Sequence, residues 1–394
     1  MTTQWRASAF GYAGDPNART PQLDALAAAS VNYAQAVTPH PFGPFARAAM
    51  LTGVLSPGNG VRNYFDPLPA SARTIAHAMK ADGYTTAFFG KWHLAQRDPA
   101  AKLVGDTHAK KVIPPEARGG FGVFEGFESG FLLNDPWLHG TRLSEPTQFK
   151  GYQSDILCER AGAWISDKKS RAERGFFCVV SLEAPHPPYD APAAGVADRD
   201  PRTIVLSGNV PLGGEVETKA REELAGYYAH IEATDRAIGR LLAKAPCEDT
   251  VVMFTSVHGD MHGAHGLFRK GWPHEESVRV PLLVRTPGVA PRRDESAVSL
   301  VDLPAMTTAI AQGEKPLSSR PSFARISMPS VVALRHQCDR VWNGVRTRTR
   351  KLILNEDGSV WLFFDLERDP LEMKNLAGDP ARFAEIEELK QSVK

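Results

Sequence analysis

The sequence predicts an α/β fold: a large, mostly parallel mixed sheet sandwiched by helices, followed by a small C-terminal α+β subdomain with an antiparallel sheet. Three observations predict it. Strand and helix signals alternate over most of the 394 residues. The strand signals, such as FFCVVSL at 176–182, are almost continuously apolar, as strands covered on both faces are. After Gly313 the pattern changes to the linker-like GEKPLSSRPS, then to short strands. The expected division is residues 1–316 and 317–394.

Thr20-Pro21 reads as an N-cap with Pro at the first helical position, and Leu23, Leu26, Ala27 and Val31 fall on one helical face. A small-residue helix is expected over 45–52, and another over 70–81 with Ile75, Ala76 and Met79 inward and Gly83 as its cap. TTAFFG (85–90) and FFCVVSL are strands. Residues 222–243 repeat Leu224, Tyr227, Tyr228, Ile231, Ile238, Leu241 and Leu242 at three and four, which predicts a helix. TVVMFTS (250–256) and PLLVRTPG (281–288) are strands again. Residues 340–365 read as antiparallel strands with NEDGS as a hairpin turn, and 380–392 as an amphipathic helix.

Hydrophobic residues are 42% and charged residues 23%, enough for a sizeable core. With 46 basic and 45 acidic residues the formal charge is +1, which argues against nucleic acid or a membrane surface as a partner held by bulk charge. No apolar run approaches the roughly 20 residues that cross a bilayer. Cys158, Cys178, Cys247 and Cys338 form no C-x-x-C pair, so neither a disulfide framework nor a zinc site is expected. MTTQWRASAF shows no basic stretch followed by an apolar one, so the expected location is cytoplasmic.

In an open α/β sheet, ligands sit in the loops beyond the carboxyl ends of the strands. Four loops carry chemistry. GKWHLA (90–95) places Lys91 and His93 two apart, pointing the same way in an extended loop and suited to a tetrahedral oxyanion; a surface lysine and a packed histidine fit the same spacing. SLEAPHPPYDAP (181–192) holds His186 on a proline-stiffened loop, which is also what a plain rigid turn would look like. SVHGDMHGAHGLFRKG (256–271) carries three histidines, Asp260 and Lys270, but its spacing fits no zinc pattern. TPHPFGPFARAAMLTG (38–53) leads into a helix whose amino end, with Arg47 in its first turn, attracts anions or is an ordinary Pro-started helix.

Together these loops resemble the sulfatase family of the alkaline phosphatase superfamily. The resemblance also runs through RTPQLDALAAASVNYAQAVTP (19–39), RAAMLTG (47–53), DGYTTAFFGKWHLA (82–95), YYAHIEATDRAIGRLL (227–242), VRVPLLVRTPG (278–288) and LFFDLERDPLEMKNLA (362–377). It implies sulfate-ester hydrolysis, with phosphate or phosphonate esters in some members. The family's cofactors are a formylglycine nucleophile made from Cys or Ser and a calcium-type cation, and Lys and His residues neutralise the oxyanion.

Transferred position by position, the resemblance puts Gly43 in the nucleophile slot, four residues before Arg47. Thr3 and Val257 fall where metal-binding carboxylates belong, beside His258. Arg47, Lys91, His93, His186 and Lys270 fall on sulfate-binding and proton-transfer positions, with His258 close by. In the family an apolar central strand precedes the first acidic loop, and Met1 sits where it should end. The expectation is therefore a cationic cup that binds a small sulfate or phosphate ester, with no cofactor and no calcium. The alternative is an active sulfate, phosphate or phosphonate ester hydrolase with altered nucleophile or metal use, through His93, His186, His258, Thr38 or Thr52. Trp137, Leu138 and His139 are candidate pocket residues. Trp92, Trp137, Trp272 and Phe268 leave a homo-oligomer contact open beside pocket lining or local packing.

Overall fold

The computed structural model describes residues 1–167, 174–245, 248–317, 321–331, 335 and 337–393; Cys247 lies outside them. The elements run α1 (Pro21–Ala28), β1 (Val31–Val37), α2 (Gly43–Thr52), α3 (Ile75–Ala81), β2 (Thr85–Lys91), α4 (Asp106–Ala109), β3 (Val123–Phe127), β4 (Trp137–Gly140), β5 (Thr147–Gln148) and α5 (Gln153–Ser166). Then follow β6 (Phe176–Ser181), α6 (Glu215–Leu242), β7 (Val252–Thr255), α7 (Glu275–Val278), β8 (Leu282–Arg285), β9 (Arg292–Ser299) and α8 (Leu303–Ala311). The chain closes with β10 (Phe323–Met328), β11 (Trp342–Thr347), β12 (Arg350–Asn355), β13 (Val360–Asp365) and α9 (Phe383–Val393).

The fold is mixed α/β with a C-terminal antiparallel sheet. One sheet has the order β5-β4-β3-β2-β6, with β2 parallel to both β3 and β6. Gly90 permits the β2–β6 approach, since its φ is +106° and a Cβ there would meet the Ser181 carbonyl oxygen at 2.2 Å. A second sheet has the order β7-β8-β1-β9, in which β1 is parallel to β9 but β8 runs antiparallel to β1 and β7. Residues 1–3 join the two sheets. Met1 N donates to the Val180 carbonyl at 2.7 Å and Met1 O accepts from Leu182 N at 2.9 Å. Thr2 N donates to Thr255 O at 3.0 Å and Thr2 O accepts from Val257 N at 2.9 Å, so this short segment lies parallel to β6 and β7 at once. Below it, β6 and β7 flank an apolar groove of about 450 Å³ lined by Met1, Phe177, Val179, Met253, Leu303 and Ile310 among others.

Several boundaries differ from the sequence reading. Val31 is not on the α1 face; α1 ends at Ala28 and β-branched Val31 opens β1. The helix expected from residue 70 starts at Ile75, because Thr74 caps it through a capping box with His77. The long helix begins seven residues earlier, at Glu215, where polar residues hide the period. The last four strands are β10 to β13 in sequential antiparallel order, with the NEDGS turn between β12 and β13. Trp342 of β11 is fully buried and donates Nε1–H to Gly271 O at 2.8 Å. Ile326, Trp342 and Ile353 share one apolar core with Val37, Phe45 and Trp92, so the expected 316/317 boundary falls between α8 and β10 but the core runs across it. No helix among the described residues is long and apolar enough to cross a membrane.

Candidate functional site

Several chain segments converge on one cavity of about 250 Å³ at the carboxyl ends of β2, β6 and β7. It is lined by Thr3, Gly43, Lys91, His93, His186, His258 and Lys270, and by Phe42, Tyr64, Leu103, Val104 and Phe131 among others. The amino end of α2 opens into it at Gly43, with no side-chain cap on Phe42 and Pro44 in the first turn. A Cβ built on Gly43 would lie 2.8 Å from His93 Nδ1, so this backbone position faces the imidazole directly.

The hydrogen bonds assign the histidine tautomers. Arg97 Nη1 donates to His93 Nε2 at 2.7 Å, so Nδ1 of His93 carries the proton and points at Gly43, buried and without a partner. His186 donates Nδ1–H to Pro187 O at 2.8 Å and accepts from Lys270 Nζ at 2.9 Å through Nε2. His258 donates Nδ1–H to Gly259 O at 2.9 Å, which leaves its buried Nε2 lone pair unpartnered. Burial first, then the neighbouring cations, holds all three well below the usual histidine range, so all three are neutral.

The cations are held in two ways. Lys91 Nζ forms a buried ion pair with Glu183 at 2.6 Å and lies 4.4 Å from the Phe131 ring centroid; burial still pushes its ammonium down to about 8. Lys270 Nζ donates to Gln4 Oε1 at 2.5 Å, and burial pushes it down to about 7. The Gln4 amide passes the link on to Asp260, which also accepts from Tyr189 OH at 2.6 Å and from the His262 and Arg269 amides. Burial opposes the charge on Asp260, but His262, Arg269 and the Tyr189 hydroxyl outweigh it and lower its carboxyl. Arg47 Nη1 donates to Ser181 Oγ at 2.6 Å and Lys91 O at 3.0 Å, and Nη2 to Thr3 Oγ1 at 2.8 Å. With neutral partners only, burial pushes Arg47 down to about 10.

Of the positions singled out in the sequence, the structure brings Thr3, Gly43, Lys91, His93, His186, His258 and Lys270 to the cavity wall, with Arg47 just behind Thr3. Val257 is not at the wall: it is fully buried and packs in an apolar core with Ala46, Met50 and Val280. Thr38 donates to His40 O and Thr52 to Ala48 O at the far end of α2, so neither hydroxyl lines the cavity. Leu138 is in the core and His139 accepts from Ile113 N, which removes Trp137, Leu138 and His139 from the pocket. Trp92 is buried against Phe88 and Phe124 rather than at a rim. Sequence reasoning missed Gln4, Arg97, Glu128, Phe131 and Glu183. Of these, only Glu183 had a usable signal, at the carboxyl end of an apolar strand and three residues before His186. Among the described residues no cluster of three or more His, Cys, Asp or Glu is arranged to hold a metal.

Comparison with known proteins fixes the family. The sulfatase family's sequence profile matches residues 1–312. The chain belongs to the sulfatase family. This sulfatase-family chain is 31% identical to an ulvan-active sulfatase of Formosa agariphila, over 96% of its own length and 76% of that protein. It is 27% identical to a choline-sulfatase of Rhizobium meliloti over 91% of its length and 78% of that protein. Among solved structures, a candidate sulfatase of Bacteroides fragilis superposes with TM-score 0.86 at 23% identity, covering 100% of this chain and 93% of that one. A phosphonate monoester hydrolase of Agrobacterium radiobacter superposes with TM-score 0.73 at 20% identity, with the same coverage.

Proposed function

We propose that this sulfatase-family protein has lost the formylglycine nucleophile and the calcium ligands and keeps a cup that binds a small sulfate- or phosphate-sized anion. The observation that carries the reading is Gly43. It stands at the amino end of α2, its missing side chain would point at the His93 Nδ1–H, and it offers no carbon that could become an aldehyde hydrate. Calcium does not fit the donors present. A hard divalent cation takes six to eight oxygens, carboxylates prominent among them. Here the Thr3 hydroxyl already receives the Arg47 guanidinium, and Val257 supplies no oxygen from its side chain. Formylglycine chemistry needs an attacking group, a metal that keeps it ionised and a proton donor, and the first two lack their residues.

What remains suits anion capture: the free Nδ1–H of His93, the ammonium groups of Lys91 and Lys270, and the uncapped end of α2 face one cavity. The test is a melting series with sulfate, with calcium and with both, together with turnover of 4-nitrophenyl sulfate. Sulfate is expected to raise the midpoint, by about 2.7 kcal/mol of added stability at a hundred times its Kd. Calcium is expected to add nothing, and turnover to stay at the buffer rate. Calcium-dependent turnover that disappears in Lys91→Ala would overturn the proposal.

A further inference from the structure

β6 and β7 are each the last strand of their sheet, and they face one another across the apolar groove. At its carboxyl end Met1–Thr3 bridge them. Met1 N donates to Val180 O at 2.7 Å and Leu182 N to Met1 O at 2.9 Å; Thr2 N donates to Thr255 O at 3.0 Å and Val257 N to Thr2 O at 2.9 Å. One extended segment thus reaches both edges at once, which makes the gap two strand spacings wide, about 9.5 Å. Main-chain groups alternate in direction along a strand. Val180 and Thr255 direct theirs to Met1 and Thr2. Two residues earlier, Cys178 and Met253 turn the same groups into the groove, and no described residue receives them.

We propose that this groove docks an extended apolar strand of about five residues from another polypeptide, paired in parallel with both edges and ending beside Met1. The pairing of Met1–Thr3 sets the direction, since it runs parallel to β6 and β7. The carboxyl end of the occupant therefore meets Met1, and its amino end leaves past Arg174 and Asp249, ahead of the two strands. Its length follows from β6, along which Phe176–Val180 remain uncovered below Met1. Its composition follows from the layers. Leu51, Ile75, Met79, Leu303 and Ile310 wall one side of the groove. On the other side β6 and β7 pack on α5 and α6. A strand inside a sheet covered on both faces is continuously apolar. Other occupants fit less well. An acyl chain fills the volume but leaves two rows of N–H and C=O groups unpaired in an apolar slot. A helix has no free main-chain groups to offer and, at about 10–12 Å across, is too wide. A second copy of this chain would have to withdraw a strand from its own core. Edge pairing gives the affinity in such strand addition, and the side-chain wall gives the specificity. None of this rests on the anion cup.

Amide hydrogen exchange of the whole chain with synthetic peptides tests this. The probe is three lysines, for solubility, followed by Val-Val-Ile-Val-Val. Two controls accompany it: the same peptide with proline in place of isoleucine, which lacks a ladder donor, and Val-Val-Ile-Val-Val followed by the three lysines, whose tag would be driven against Met1. The probe is expected to slow exchange at Cys178 and Met253 about a hundredfold at a hundred times its Kd, and both controls to leave it unchanged. Thr307→Trp, which puts an indole into the groove from α8, should abolish the protection. If that variant does not fold, the two control peptides decide. Equal protection by the proline peptide would show apolar filling without strand pairing, and equal protection by the reversed peptide would contradict the direction; either overturns the proposal. So does an absence of protection by the probe. Slow exchange at Cys178 and Met253 in the protein alone overturns it as well, because the groove is then already filled, and early elution on gel filtration would identify the occupant as a second copy.

Discussion

At the scale of single residues, the cup is a set of buried polar groups held by specific neighbours. Gly43 is the tightest point. Its backbone is helical, so alanine costs nothing in conformation, but the added methyl would sit 2.8 Å from His93 Nδ1 and 3.0 Å from Cε1. His93 cannot yield freely, because Arg97 holds its other nitrogen. Gly43→Ala is therefore expected to destabilise the protein by about 1–3 kcal/mol in chemical denaturation and to abolish the sulfate-induced rise in melting midpoint. Lys270 sets a pH dependence. Its ammonium titrates near 7, far below an ordinary lysine, because it is buried. Sulfate affinity should thus be highest below pH 7 and fall as pH rises through it, while Lys270→Met should remove most of that slope. Without anion the sign reverses. Above pH 7 the unfolded chain keeps a proton that the native Lys270 has lost, so this residue's contribution to stability grows with pH until the unfolded lysine also titrates. Most of these residues were legible in the sequence because they follow apolar strands. Glu128 and Gln4 were not, since their meaning lies in partners 31 and 266 positions away that only the folded chain supplies.

At the scale of elements, the C-terminal sheet is fastened to the main body by a buried cation. Lys351 of β12 is fully buried and reaches Glu275 of α7 at 2.8 Å and Glu372 at 2.7 Å, and donates to Pro273 O at 2.9 Å. Removing one partner of a buried ion cluster costs far more than the net worth of the cluster, because the remaining charges have nowhere to go. Lys351→Met leaves Glu275 its pair with Arg346 at 3.0 Å but takes the Lys351 partner from Glu372, and is expected to cost about 3–5 kcal/mol; the double replacement of Lys351 and Glu372 by apolar residues of similar size should recover most of the loss. Urea titrations of the two variants decide between an ion cluster that is costly to break and one that is simply dispensable. β11 to β13 and α9 were readable in advance, because their alternation and turn residues are local. β3 to β5 and α4 were not. They lie in a stretch whose short strands show no period, and β4 takes its place by pairing with β3 and β5 rather than from its own composition.

At the scale of the whole molecule, two sheets are joined by a segment of three residues. Met1–Thr3 form hydrogen bonds to β6 and the residues after it on one side and to β7 and Val257 on the other. Beneath them the groove between β6 and β7 is open and apolar. The resemblance placed Met1 at the end of a central strand, and the pairing of Met1–Thr3 with both sheets agrees with that position, although composition alone gives these residues no strand character. The same three residues hold up the cup: Thr3 receives Arg47, and Gln4, next in line, carries Lys270. Sheet seam and ligand cavity are thus one construction. A chain starting at Gln4 loses four main-chain hydrogen bonds of 2.7–3.0 Å and the Thr3 contact to Arg47. At roughly 1 kcal/mol each, plus a buried Arg47 Nη2 left without its acceptor, the loss reaches about 5 kcal/mol or more, comparable to the entire stability of an ordinary domain. Removal of Met1–Thr3 is therefore expected to leave the protein largely unfolded or prone to edge-to-edge association through β6 and β7, seen as loss of a cooperative melt and as early elution on gel filtration. Thr3→Val separates the two roles. It keeps the seam's main-chain bonds and withdraws only the hydroxyl, which accepts from Arg47 and donates to Leu182 O at 3.1 Å, so it should melt within about 3 kcal/mol of the parent yet bind sulfate more weakly; a truncated chain that melts like the parent would show that the sheets hold together without the segment.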